Sequence, residues 1–115
     1  MAIYQAKVKG ELWDVVSFVE RELGRRSQTI SLEHEAETTA GDVQIRVAAF
    51  ERYSWMGGNR VSLNITYIAS GGEVEMIATS TGGSQAMFYK LNTIGEENFM
   101  QTFIESVQAY SSQGW

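Results

Sequence analysis

The residues able to do chemistry gather in a few short stretches. The first is Ser80–Lys90, "STGGSQAMFYK". Two glycines flanked by hydroxyls offer bare backbone amides, which can form an anion-binding nest. A Walker-type phosphate loop needs Gly-x-x-x-x-Gly-Lys-Ser/Thr on the way from a strand into a helix. Here no lysine directly follows the glycines, and "SQAMFYKL" reads as another strand. The Rossmann spacing is absent too. The expected role of Gly82 and Gly83 is therefore a turn between two strands.

The second stretch is "ERYSWMGGNR". Arg52, Tyr53, Trp55 and Arg60 crowd one expected hairpin tip, with Met56 between them. Trp, Tyr and Arg are the types enriched at binding hot spots, although the aromatics also pack ordinary cores. Arg52 beside Glu51 can equally be a surface pair.

His34 is the single histidine, and there is no cysteine. Only carboxylates could then complete a metal site, a poor donor set for a transition metal. No metal and no cofactor are expected, and a partly buried structural histidine is the simpler role. A catalytic reading could assemble only His34, Glu51 and Tyr53, without a geometry to join them. Gly-x-Ser-x-Gly is missing, so no serine triad is supported and an enzyme ranks last. Glu33, Glu35 and Glu37 fall on one strand face at period two and read as a solvated acidic face. Glu96 and Glu97 read as helix N-terminal charges.

These residues must be positioned by elements whose periods are readable. Residues 2–9 alternate, with Tyr4, Ala6 and Val8 on one side, and predict a half-buried strand. Leu12, Val15, Val16, Val19 and Leu23 then follow helical spacing. Gly24 marks the expected helix end, with Arg21, Arg25 and Arg26 near the negative pole. "TISLEHEAET" predicts a strand with Ile30, Leu32, His34 and Ala36 on one face. "DVQIRVAAFERYSW" follows, with Val43, Ile45, Val47 and Ala49 sharing a face. It is long for one strand, so a bulge near Ala48–Phe50 is expected.

"RVSLNITYIAS" alternates cleanly, Val61, Leu63, Ile65 and Tyr67 against Ser62, Asn64 and Thr66. "SGGE" is a two-residue hairpin pattern leading into "EVEMIATST". The Gly-Gly pairs 57–58, 71–72 and 82–83 each fall between strand-like runs. Thr93-x-x-Glu96 has the form of a capping box. It precedes a stripe of Phe99, Met100, Phe103, Ile104, Val107 and Tyr110, a helix ending near Ser111. The expected fold is α+β and two-layered: an antiparallel meander of five to six strands with two helices on one face. Its order is β-α-β-β-β-β-β-α, and its curved-sheet version would be a reduced helix-grip arrangement.

The chain has 115 residues, 43% hydrophobic and 11% aromatic, which fits one packed domain over 1–115. The absence of cysteine fits a reducing cytosol, and a cytoplasmic location is expected. No secretory signal is visible at the N-terminus and no apolar run approaches a membrane span. The net charge of −5 argues against a nucleic-acid surface. No proline is present, so Gly, Asn, Asp and Ser must build the turns.

The segments "ERYSWMGGNRVSLN" and "STGGSQAMFYKLNTIGEENF" resemble a family of small uncharacterised bacterial proteins. That family, mostly from Gram-positive species, is catalogued as a domain of unknown function. The motifs correspond to Glu51–Ser54, Gly57–Asn64, Thr81–Ala86, Phe88–Thr93 and Gly95–Glu97, with Thr81 where the family pattern has serine. The resemblance covers the second half well and the first half by pattern. It implies no activity. It does imply a concentration of polar motif residues, Asn59, Arg60, Ser84, Gln85, Lys90 and Asn92, beyond what turns alone require.

Two readings follow, both non-catalytic. The first is a module that binds a small molecule at the loop-ringed mouth of a pocket between sheet and helix. Arg60, Ser84, Gln85 and Lys90 would give polar recognition, with Tyr53, Trp55, Phe88 and Tyr89 as walls. The alternative is a homodimer or partner-binding protein that uses the 52–60 tip.

Overall fold

The computed structural model describes residues 2–27, 29–54, 59–82 and 89–113, with the side chains of 54, 59 and 89–97 outside that description. Its elements are β1 (Ala2–Lys9), α1 (Leu12–Arg26), β2 (Ser31–Ala40), β3 (Val43–Ser54), β4 (Asn59–Ser70), β5 (Glu73–Thr81) and α2 (Tyr89–Ser111). The five strands form one antiparallel sheet in the order β1-β5-β4-β3-β2. Consecutive hairpins build β2 to β5. β1 is joined to β2 by α1 and closes the far edge against β5.

Both helices lie on one face, as the amphipathic patterns require. α1 buries Leu12, Val15, Val16, Val19 and Leu23, the five positions of its apolar stripe. α2 buries Phe99, Met100, Phe103, Val107 and Tyr110. Beneath them the sheet contributes Val61, Leu63, Ile65 and Tyr67 of β4 and Val74, Met76 and Ala78 of β5. All join one core cluster, with Tyr4 and Ala6 of β1 packed at its margin. Gly71 and Gly72 close the β4–β5 hairpin with φ of +61° and +79°. A two-residue turn that follows the sheet's twist needs positive φ at both positions, which glycine adopts without a Cβ penalty.

Four local expectations are corrected. Gly24 does not end α1; the helix continues to Arg26 and is followed by the extended Ser27. The run is favourable enough to carry a glycine, and Arg25 and Arg26 both bond Glu22 across its last turns. The bulge lies not in β3 but opposite it. Leu32 pairs with Phe50 and His34 with Ala49, leaving Glu33 as the extra residue in β2. That insertion puts Leu32 on the helix-covered face and His34 and Ala36 on the other.

Third, β3 turns its other row inward. Ala48, Phe50 and Arg46 are buried, while Val47 is 42% exposed on the face without helices. Both rows of β3 carry apolar residues, so alternation alone could not choose between them. Fourth, α2 begins at Tyr89, four residues before Thr93, so Thr93 and Glu96 stand inside the helix and do not cap it.

Candidate functional site

The C-terminal end of β3, the N-terminal end of β4 and the C-terminal end of β5 meet at one edge of the sheet. Ser54 pairs with Asn59, and Ser62 with Thr81. From there β5 leads through Gly82 toward α2, whose first residue is Tyr89. The expected turn at Gly82–Gly83 and the strand expected over 84–88 lie outside the described residues beyond Gly82. Tyr89–Leu91, expected as strand, is the start of α2. Three residues are too few to separate a period of two from one of 3.6, and the long apolar stripe of α2 decides the matter.

Of the proposed site residues, Tyr53 and Arg60 are directly described. They are cross-strand partners on the uncovered face, which brings their side chains together. Tyr53 is exposed. Arg60 donates to Glu51 Oε1 at 2.7 Å and lies 4.0 Å from Glu33. The bond from Glu51 raises the Arg60 guanidinium above its ordinary range. Its charge is thus already answered by acids at the surface. Trp55, Met56, Ser84, Gln85 and Phe88 lie outside the described residues, as do the side chains of Tyr89, Lys90 and Asn92.

His34 shares the uncovered face with Glu51 and Tyr53, but Glu51 is engaged by Arg60. A shallow groove of about 350 Å³ beside His34 is lined by Ala36, Val47, Ala49, Asn64 and Thr66. Among the described residues no group of three or more acidic or histidine side chains is placed to hold a metal ion.

The helix-covered row of β3 carries two arginines in contrasting surroundings. Arg46, with a side chain 3% exposed, holds Glu20 by two bonds (2.9 and 3.1 Å), Glu35 at 2.7 Å and Glu37 at 2.8 Å. It also lies 5.3 Å from the centre of the Trp13 ring. Burial opposes its charge, but the carboxylates outweigh burial and raise its pKa. Glu35 and Glu37 consequently point toward α1 rather than forming a solvated acidic face. Arg52 points to the same side six residues further along. It is not paired with Glu51, as adjacency in the chain had suggested. Its Nη1 donates to Ser27 Oγ at 3.2 Å and Thr102 Oγ1 at 3.4 Å, and its guanidinium sits 4.6 Å above Phe99. Burial lowers its pKa.

The Arg46 cluster extends to Tyr67, whose hydroxyl donates to Glu20 Oε2 at 3.0 Å. Burial, reinforced by Glu20, pushes the Tyr67 phenol well above its ordinary range. A phenol raised in the folded state contributes fully below about pH 10, where the unfolded chain starts to titrate, and that contribution fades as pH climbs through the folded value. Urea unfolding should therefore show stability falling above about pH 10, and Tyr67→Phe should flatten the fall. Equal slopes in the two proteins would remove Tyr67 from the account.

Neither arginine cluster is visible in strand alternation, because each places a charge in an apolar row. A hint was available: Arg46, Ala48, Phe50 and Arg52 share one face of a single strand.

Among the described residues no helix is long and apolar enough to cross a membrane. A model of a family described as a family of unknown function matches residues 1–111. A search of the curated proteins found no match. Among solved structures, the hypothetical protein jhp0584 from Helicobacter pylori is similar with a TM-score of 0.52 and 9% identity, over 95% of this chain and 86% of that one. At that identity the likeness shows the fold alone.

Proposed function

We propose, from the premise that the chain belongs to DUF6054, a family of unknown function, that it is a non-catalytic module binding a small ligand. The site of this reading is the sheet end where the C-terminal end of β3, the start of β4 and the end of β5 come together. Arg60, Ser84, Gln85 and Lys90 are the polar recognition residues of this reading, with Tyr53 and Trp55 as walls. The chain then works as a single cytoplasmic domain. One observation supports the reading: Tyr53 and Arg60 pair across β3 and β4 at the sheet end where β5 finishes, Ser62 lying opposite Thr81, and the next described element after β5 is α2. On this reading Ser84 and Gln85 serve the ligand, as polar residues and backbone amides between a strand and a helix can.

A thermal-shift screen against metabolites and nucleotides tests it. A ligand at a hundred times its Kd adds about 2.7 kcal/mol to the folded state. At least one compound should raise the melting temperature in a saturable way, and substitution of Ser84 or Gln85 by alanine should reduce that rise. A flat screen would overturn the reading. Light scattering at twice the monomer mass would then favour the alternative, a self-associating protein. The exposed Ile3 (70%) and Val47 on the uncovered sheet face speak for that alternative.

A further inference from the structure

We infer that Arg52 is an oxyanion-binding residue, taking the phosphate or carboxylate group of a small ligand on the free edge of its guanidinium. The inference rests on the ligand-binding reading above, adds the chemical class of the ligand, and places its anionic group on the helix-covered side of that sheet end, across the sheet from Tyr53 and Arg60.

The first support is the donor count. A guanidinium carries five N–H donors in a rigid fork. Among the described residues Arg52 engages only Nη1, in two long bonds to the neutral hydroxyls of Ser27 and Thr102. Among the described residues no acceptor meets its Nε or Nη2. That edge presents two parallel N–H groups, the spacing that matches two oxygens of one carboxylate or phosphate.

The second is charge. The chain has 14 acidic residues against 9 lysines and arginines, so acids are in ample supply. Arg25, Arg26, Arg46 and Arg60 each have a carboxylate within 4.0 Å. Arg52, partly buried under α2, has none among the described residues. Removing a cation from water without a counter-charge is costly, and the cost falls when an anion arrives. The downward pKa displacement of Arg52, opposite to that of Arg46 on the same strand, reflects this imbalance.

The third is preorganisation. The ring of Phe99 lies under the guanidinium, and Ser27, just past the end of α1, and Thr102 of α2 fix its Nη1 end. Ser27 is itself buried and can turn its hydroxyl proton toward an anion. An arginine that merely fastened the end of α1 to α2 would use these same three contacts, gaining a little from the helix dipole. It would have no use for the Nε/Nη2 edge, and that edge is what the experiment reads.

Side-chain NMR of the arginine Nε–H groups in the full chain, titrated with inorganic phosphate and separately with acetate, is the test. The Arg52 resonance should move saturably with at least one anion while that of Arg46, already held by three carboxylates, stays in place. Saturation by phosphate alone assigns a phosphorylated ligand, and by acetate alone a carboxylate. Arg52→Lys, which keeps the charge and loses the fork, should weaken that binding about tenfold or more. The wild-type titration stands even if the variant folds poorly. Linear, unsaturable movement with both anions overturns the inference, as does saturation unchanged in Arg52→Lys. A metabolite from the thermal-shift screen that binds Arg52→Lys as well as the wild type also overturns it, yet leaves the ligand-binding reading intact. Saturable anion binding at Arg52 beside a flat screen supports the inference and counts against the broader reading.

Discussion

Arg46→Ala should lower the unfolding free energy by about 2–3 kcal/mol, because the partly buried Glu20 loses its counter-charge while the half-exposed Glu35 and Glu37 regain water. A protein of this size has only about 5–15 kcal/mol in total, so the loss would be visible as a large fall in the urea midpoint. The reason lies in the geometry. One guanidinium ties α1, through Glu20, to the edge strand β2, through Glu35 and Glu37. Without it, Glu20 keeps only the Tyr67 hydroxyl, three carboxylates repel one another, and the indole of Trp13 loses its cation. β2 depends on this clamp because none of its residues is buried. Arg46→Lys should fall between wild type and alanine, since it keeps the charge but not the fork. The double change Glu20→Gln with Arg46→Met should recover part of the loss, because no charge is then left alone in the interior. A cost below about 1 kcal/mol for Arg46→Ala would mean that the cluster is no stronger than a surface pair.

Gly10→Ala should cost about 2–5 kcal/mol, from backbone strain and overpacking together. Gly10 turns the chain from β1 into α1 with φ of +141°, a region that L side chains rarely enter. A Cβ there would collide with the hydroxyl oxygen of Tyr110 and press on Val15 Cγ2. Neither neighbour can retreat freely. Tyr110 donates to Lys9 O at 2.8 Å, its ring packs edge-on against Phe18, and the Gly10 amide donates to Gly72 O at 2.8 Å. Introducing the same change in a Tyr110→Phe background separates the two contributions. The collision should shrink there, so Gly10→Ala should cost less than it does in the wild type. Equal costs in both backgrounds would assign the whole effect to the backbone.

The contrast between elements explains how much could be read beforehand. α1, β4 and the Gly71–Gly72 hairpin were legible because a single apolar row had a single place to go. β3 was not, because Val43, Ile45 and Val47 compete with Ala48 and Phe50 and only the core decides. Three carboxylates make Arg46 acceptable inside, and two of them come from β2. In β2 the alternation of the sequence fails after Leu32, since Glu33 adds a step that reverses every later side chain. The tip residues Tyr53 and Arg60 were placed together by simple pairing. Arg52 looked like their neighbour and instead faces the opposite side, a consequence of alternation that adjacency in the chain conceals.

The strand order has a consequence for how the chain comes into being. Among the described strands β1 is synthesised before the others, and its neighbour in the sheet is β5, the latest of them. Ala2 has its partner in Ser80. The hairpins from β2 to β5 can pair as soon as each is made, whereas β1 must wait with its edge unmatched until nearly the whole meander exists. The order of manufacture and the order of assembly are thus reversed for the N-terminal segment.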